Sequence, residues 1–301
     1  ELNLQKCNKI GNKTLTELGN SLQDLINIEK LQLYLNCCQA IDDEGLLNLS
    51  MGFAHQQKNL KKFTFHLASS TEVKDPGIQI FTKNISQNLV NLQNLNLNFA
   101  FGEHITDRGV EAIGRNIGQN LLNLEEFTLN LDHCGEITGR GLELFSKNIG
   151  RNSFKKLYKL HLNFNGLRHF DDSAIMICAE NISQFSVSLK DLSLHVSKSN
   201  FKKSWDDLQK PVTDKSLQAL IDLFSQDSLK LEQLFLSFDP DFTFSRKLYP
   251  LLVQALSKHK MSLEDLSVAI SHLEKPFNAS QIISKAFGTQ SIRMKRFKVP
   301  I

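Results

Sequence analysis

Several features that would define a functional class are missing from the 301-residue sequence. No run of apolar residues approaches the roughly 20 that a membrane-spanning helix needs, so no membrane partner is expected. The formal net charge is only +3, which gives no reason to expect nucleic acid as a partner. The cysteines number five, an odd count without clustered pairs, which favours a reducing and therefore cytoplasmic location.

Motifs for catalysis and for metal or cofactor binding are also missing. There is no Gly-x-x-x-x-Gly-Lys phosphate loop, no His-Glu-x-x-His motif and no Cys-x-x-Cys pair. The adjacent Cys37 and Cys38 follow a strand pattern and are expected on an extended segment, where neighbouring side chains point to opposite faces and cannot easily hold one ion. The sequence therefore predicts a protein that is not an enzyme and that has no cofactor, metal site or small-molecule substrate.

A phrase of about 32 residues recurs from end to end. One copy begins Leu92-x-x-Leu95-x-Leu97-x-Phe99 and continues with Ile105-Thr106-Asp107-Arg108-Gly109-Val110. The copies start near residues 2, 28, 60, 92, 124, 157, 189, 231, 263 and 294. Such a period is typical of a solenoid of stacked units, so we expect a single domain, 1–301, with about ten strands. Because the first and last copies look incomplete, we also expect a fragment of a longer chain, or ends that partners cover.

Each copy combines a strand with a helix. Apolar and polar residues alternate in its first half, as in Leu160, Leu162 and Phe164, which is typical of a half-buried strand. Apolar residues then recur at helical spacing after a Thr-Asp pair that can cap a first turn. Neighbouring strands lie about 4.8 Å apart, whereas packed helices need about 8 to 10 Å. We therefore expect an α/β horseshoe with a concave parallel β-sheet and convex helices.

The phrase L-x-x-L-x-L followed by I-T-D-x-G-L resembles that of leucine-rich repeat proteins, most closely their ribonuclease-inhibitor-like and cysteine-containing subclasses. Residues 105–110 and 137–142 match the second part best. The Asn or Cys that usually follows the strand is mostly replaced, and Asn36 and Asn165 come nearest to it. The abundance of Asn, Lys, Ile and Phe is similar to that of ciliate-type cytosolic leucine-rich repeat chains. The resemblance implies a binding module.

Polar residues between the strand leucines should form rows across the concave face, because side chains alternate along a strand. The rows are neutral and hydrogen-bonding at their centre, which suits a protein partner better than a small molecule. The alternative is a face that is merely solvated, and for His161 and His195, which could meet diagonally, a surface role is favoured over metal binding. The candidate partner-binding residues on this face are Tyr34, His66, Asn98, Asn130, His161, Asn163, His195 and Phe235.

The repeat that begins at residue 189 is about ten residues longer than the others. Its insertion, 198–211, contains Phe201 and the only tryptophan, Trp205, among several lysines. Insertions in repeat arrays map to loops on one rim, and aromatic side chains contribute much of the energy of many interfaces. Phe201 and Trp205 are therefore further candidates for binding a protein partner. The alternative is a loop whose Trp205 packs back onto the neighbouring repeat.

These features predict that the protein functions as a non-catalytic scaffold for protein–protein interactions. It would be a structural or adaptor subunit of a larger assembly. Composition favours a cytoskeletal or axonemal assembly, in the cytoskeleton or cilium. The alternative is the regulatory or recognition arm of an enzyme. Such an arm could be GTPase-activating-like, could be linked to a kinase, or could be the substrate receptor of a ubiquitin ligase. A GTPase activator usually has a sharply charged rim. Here the signs are mixed, because Glu103 and Asp132 occur near Arg108 and Arg140, and the scaffold is therefore favoured over a GTPase activator.

Overall fold

The computed structural model describes residues 1–7, 9–53, 58–150, 154–167, 170–198, 212–238, 244–245, 247–259 and 261–270. The predicted strand near residue 294 lies outside these residues. So does nearly all of the insertion 198–211, including its two candidate residues, Phe201 and Trp205.

Strands and helices alternate through the described part of the chain. The strands are β1 (Leu2–Asn3), β2 (Lys30–Tyr34), β3 (Lys62–His66), β4 (Asn94–Asn98), β5 (Glu126–Asn130), β6 (Lys159–Leu167), β7 (Asp191–Lys198), β8 (Gln233–Phe238) and β9 (Asp265–Ile270). The helices are α1 (Asn12–Gln23), α2 (Asp43–Met51), α3 (Asp75–Asn88), α4 (Asp107–Asn120), α5 (Gly139–Gly150), α6 (Asp172–Ser183), α7 (Asp214–Phe224) and α8 (Leu248–Ser257). None of the helices in the described ranges has the length and apolar character that crossing a membrane requires.

The described strands join in one parallel sheet whose order follows the sequence from β1 to β9. Equivalent residues of consecutive repeats lie side by side, with Leu95 beside Phe127 and Leu97 beside Leu129. A parallel pair of strands needs a crossover connection, and from β2 onward a helix follows each strand before the next begins. The predicted α/β solenoid with a parallel sheet is confirmed for these nine strands.

The inner residues of the strands form a continuous apolar core against the helices. At one register position they are at most 2% exposed: Leu33, Phe65, Leu97, Leu129, Leu162, Leu194 and Leu236. Helix residues such as Ile113 and Ile117 are equally buried. Phenylalanine rings pack within this core, and the ring centroids of Phe65 and Phe81 are 4.6 Å apart. Each repeat therefore buries its apolar side chains against its neighbours.

A turn with one left-handed residue follows each of the first five strands. The residues in this conformation, with φ between 56° and 61°, are Lys6, Cys37, Ser69, Phe101 and His133. Their backbone N–H groups donate to the next repeat, as Phe101 N does to Asp132 O over 2.7 Å. The turns are thus tied together from repeat to repeat.

After β2, β3, β4 and β5, the residue that follows the left-handed position is buried. Cys38 and Cys134 are buried there, and their thiols donate to the carbonyl oxygens of Leu4 and Phe99 over 3.2 and 3.3 Å. The placement of the buried Asn or Cys at Asn36 and its equivalents was therefore wrong, because the position lies two residues later. Burial raises the pKa of Cys134 to about 12, so this thiol stays protonated and serves packing.

Helix starts are stabilised by two repeats at once. Thr106 caps α4, since its hydroxyl accepts from Arg108 N over 3.2 Å. Asp75, the first residue of the preceding helix, accepts from Thr106 N, Thr106 Oγ1 and Gly109 N at 2.8, 2.6 and 3.0 Å. A Cβ atom on Gly109 would lie 2.5 Å from Asp75 Oδ1, so this close approach requires glycine. The predicted Thr-Asp cap is confirmed for Thr106, and Asp75, at the first position of the preceding helix, also binds the start of α4.

The same inter-repeat bonds recur along the stack. Asp107 accepts from Thr138, and Asp172 accepts from Thr213. Gly139 replaces the aspartate at the start of α5. Helix α6 is capped instead within its own repeat, by Asp171.

Candidate functional site

The sheet face turned away from the helices carries the two predicted rows of side chains. We call it the open face, with one row of Gln32, Thr64, Asn96, Thr128, His161, Ser193 and Phe235 and a second of Tyr34, His66, Asn98, Asn130, Asn163, His195 and Ser237. All except Ser193, which is 5% exposed, are partly exposed. The eight candidate residues on described strands therefore share one surface.

The first strands of the open face hold a small aromatic group. The ring of Tyr34 meets that of His66 edge-on, with the centroids 5.0 Å apart. Gln32 Nε2 donates to the Tyr34 hydroxyl over 3.0 Å, and His66 Nε2 lies 3.3 Å from Asn96 Oδ1. Burial lowers the pKa of His66 although the bond to Asn96 opposes this shift, so the ring is neutral near pH 7.

The three central asparagines of the second row shape the turns that follow their strands. Asn98 Oδ1 accepts from Ala100 N, and Asn130 Oδ1 accepts from Asp132 N, both over 3.0 Å. Asn163 makes the equivalent bond to Asn165 N over 3.1 Å. Side-chain oxygens of Asn commonly stabilise turns in this way. The amide nitrogens of these residues have no recorded partner within the described ranges and can donate to a bound molecule.

A charged group lies where β6 and β7 begin. Asp191, 7% exposed, sits 2.7 Å from His161 Nε2 and 3.3 Å from Lys159 Nζ. Burial alone would raise the pKa of Asp191, but its bonds with His161 and Lys159 outweigh burial and hold the pKa below its usual value. Nearby, the Tyr158 hydroxyl donates to Glu126, and this bond together with burial raises the pKa of Tyr158 to about 12. These groups are held in place by one another before any partner binds.

His161 and His195 lie on adjacent strands, as the sequence predicts. They are diagonal neighbours, because His161 pairs with Ser193 and His195 pairs with Asn163. They have different partners, because His161 Nε2 bonds to Asp191 while His195 Nε2 lies 2.9 Å from Ser193 Oγ. Burial and the charge of His161 lower the pKa of His195. Within the described residues, no group of three His, Cys, Asp or Glu side chains could hold a metal ion.

The Ser193–His195 pair also lacks the third member of a nucleophilic triad. A catalytic histidine needs a group that orients it as a base, usually a carboxylate. The neighbouring carboxylate, Asp191, bonds to His161 instead. The open face thus offers hydrogen-bonding groups and two aromatic residues, Tyr34 and Phe235, without a convergent catalytic set among its described residues.

Comparison with known proteins adds one family match. Residues 29–50, which span β2, Cys38 and most of α2, match the family model described as Leucine Rich repeat. This unit is similar to a leucine-rich repeat. The assignment to the ribonuclease-inhibitor-like or cysteine-containing leucine-rich repeats, and the ciliate-type resemblance, stay predictions.

The chain is also similar in structure to a chain in the crystal structure of the Rad7 and Elc1 complex in yeast. The TM-score is 0.32 at 18% sequence identity, over 89% of this chain and 76% of that chain. A likeness this low says nothing about function or partners. None of the curated proteins matches the chain significantly.

Proposed function

We propose that the protein is a non-catalytic scaffold that holds a protein partner on its open face. The observation that carries this proposal is the unbroken surface of partly exposed polar and aromatic side chains across seven strands, β2 to β8. A surface of this kind suits an extended partner, because many adjacent donors and acceptors can be engaged at once.

Mutual bonding among the side chains supports the proposal. Asp191 fixes His161 and Lys159, Tyr34 packs on His66, and the turn bonds orient the asparagine amides. Side chains that are already ordered lose little conformational entropy when a partner binds. The exposed parts of Tyr34 and Phe235 supply the aromatic contacts that commonly dominate interface energies.

Within this class we place the protein as a structural or adaptor subunit of a larger cytoplasmic assembly, cytoskeletal or ciliary. All five cysteines are free thiols, which fits a reducing compartment. The cytoskeletal and ciliary setting is supported by composition alone.

Quantitative capture from an extract of cells that make the protein tests the proposal. The bait is compared with Tyr34→Ala and Phe235→Ala, two open-face variants, and with Met176→Ala, a control at a 40% exposed helix residue. We expect captured proteins to fall at least tenfold with either open-face variant and to be unchanged with Met176→Ala. The same captured set on all four baits would contradict the proposal, as would acceleration of GTP hydrolysis in a panel of small GTPases.

A further inference from the structure

The turns after β3, β4 and β5 form a second distinctive surface. We call residues 68–73, 100–105 and 132–137 the acidic rim. Phe101 and His133 have φ values of 58° and 56° there. The left-handed region is unfavourable for an ordinary L-residue, whereas Gly166, at the equivalent position within β6, takes a φ of 77° without that penalty. Backbone geometry therefore gives no reason for two large rings at these positions.

Those rings form a plate that is open to solvent. Phe101 is 48% exposed, and its ring stacks on that of His133 with a centroid distance of 5.1 Å and an angle of 13°. The imidazole is anchored in turn, since His133 Nδ1 lies 2.7 Å from Asp132 Oδ1. An exposed aromatic surface held rigid in this way is typical of a contact site.

Apart from histidines and one buried cysteine, the ionisable side chains within these three turns are all carboxylates. The three turns contain four carboxylates and neither lysine nor arginine: Glu72, Glu103, Asp132 and Glu136. Glu72 and Glu103 are exposed. Lys74, Arg108 and Arg140, at or next to the helix starts that follow the turns, are exposed as well. The backbone of Lys74 pairs with that of His104 in the rim. The rim is thus locally negative on a chain whose formal net charge is +3.

We propose that the acidic rim docks an arginine-bearing segment of a protein partner, with the guanidinium group stacked on Phe101 and hydrogen-bonded to rim carboxylates. A guanidinium is planar, stacks on aromatic rings and can donate two parallel bonds to one carboxylate, and an ammonium group lacks these properties. This inference rests on the proposed scaffold function and adds a second surface with a defined partner chemistry.

A displayed library of random 12-residue peptides provides the test. Peptides are selected on the full chain and then scored on Phe101→Gly/His133→Gly, the rim variant, and on Ser69→Gly, which changes the same left-handed position one repeat earlier. Glycine accepts the backbone conformation, so the rim variant should fold with an unchanged or higher melting temperature. We expect a set of peptides that binds the rim variant at least tenfold more weakly, binds Ser69→Gly normally, and is enriched in arginine.

Conservative substitutions in the peptide and in the protein sharpen the result. Arg→Lys in a selected peptide should weaken binding at least fivefold, and so should Glu103→Gln/Asp132→Asn in the protein. Equal binding of the lysine peptide would overturn the stacking geometry. A rim-dependent set without excess arginine, or no rim-dependent set at all, would overturn the proposal. Peptides lost only on Phe235→Ala would overturn it too, while leaving the scaffold function of the open face supported.

Discussion

Asp172 bonds α6 to the start of α7, the helix that follows the insertion 198–211, so its removal has a defined cost. Its carboxylate accepts from Thr213 N at 2.7 Å, from Thr213 Oγ1 at 2.6 Å and from Ser216 Oγ at 2.5 Å. These donors lie at the start of α7, more than forty positions along the chain. The bonds therefore connect two helices that are far apart in the sequence.

The expected loss follows from these bonds. A hydrogen bond to a charged group contributes about 1.5–3 kcal/mol. The three bonds share one partly exposed carboxylate and are not additive, so Asp172→Ala should lower the free energy of unfolding by about 2–4 kcal/mol. The neighbouring Asp171 makes one capping bond, to Ser173 N at 3.0 Å. Asp171→Ala is therefore the matched control, with an expected loss of about 1 kcal/mol.

The pH dependence of stability tests the contribution of Asp172 independently. Burial acts to raise the pKa of Asp172, but the bonds from Ser216 and Thr213 outweigh it and leave the pKa below its usual value. The stabilisation is therefore complete above the pKa of an unfolded Asp, about 3.9, and is lost as the pH falls through the lower folded-state pKa. The stability difference between wild type and Asp172→Ala should accordingly shrink below about pH 4.

Urea unfolding followed by circular dichroism measures both effects, and hydrogen exchange of α7 amides reports the local part, since repeats of a solenoid can unfold separately. A loss for Asp172→Ala within about 0.5 kcal/mol of that for Asp171→Ala would refute the reasoning. So would a difference that does not change with acid.

Three further predictions concern the stack itself. Leu129→Ala should cost about 2–5 kcal/mol in urea unfolding, because the side chain is 0% exposed between repeats, and a near-neutral result would contradict the solenoid. Gly109→Ala should cost more than about 1 kcal/mol, because the new Cβ would lie 2.5 Å from Asp75 Oδ1; an unchanged melting temperature would argue against the inter-repeat cap. Burial lowers the pKa values of His195 and His259, so the unfolded chain binds protons first and stability should fall as the pH drops below about 6.5. Melting temperatures at pH 7.5 and 5.5 measure this, and equal values would count against the lowered pKa values of these two rings.

The period of the sequence was sufficient to predict which strand residues are buried. Leu97 and Leu129 lie side by side in the sheet because the repeat places them at the same register position. The same alternation predicted the open face, since Lys159, His161 and Asn163 succeed one another on one side of β6. Both results depend only on local periodicity.

Contacts between repeats were predictable only in part. The Thr-Asp pairs indicated helix caps, but the bonds of Asp107 to Thr138 in the next repeat depend on how closely two helices stack. The burial of Asp191 likewise arises from Lys159 and His161 on the neighbouring strand. The buried Asn or Cys position of the repeat was predicted at Asn36 but lies two residues later, at Cys38. The left-handed turn between them could not be predicted, because no pattern of apolar residues marks it. Phe101 and His133 occupy the equivalent turns of later repeats and were not singled out for the same reason.

Hydroxyl-radical footprinting of the chain, alone and with a captured partner, tests the central claim most directly. On the open face it reports Tyr34 and Phe235. On the helices it reports Met51 and Met176, which are 54% and 40% exposed. Scaffold binding at the open face predicts that oxidation of Tyr34 and Phe235 falls several-fold in the complex while that of Met51 and Met176 is unchanged. Protection of the two methionines with none on the open face would contradict it.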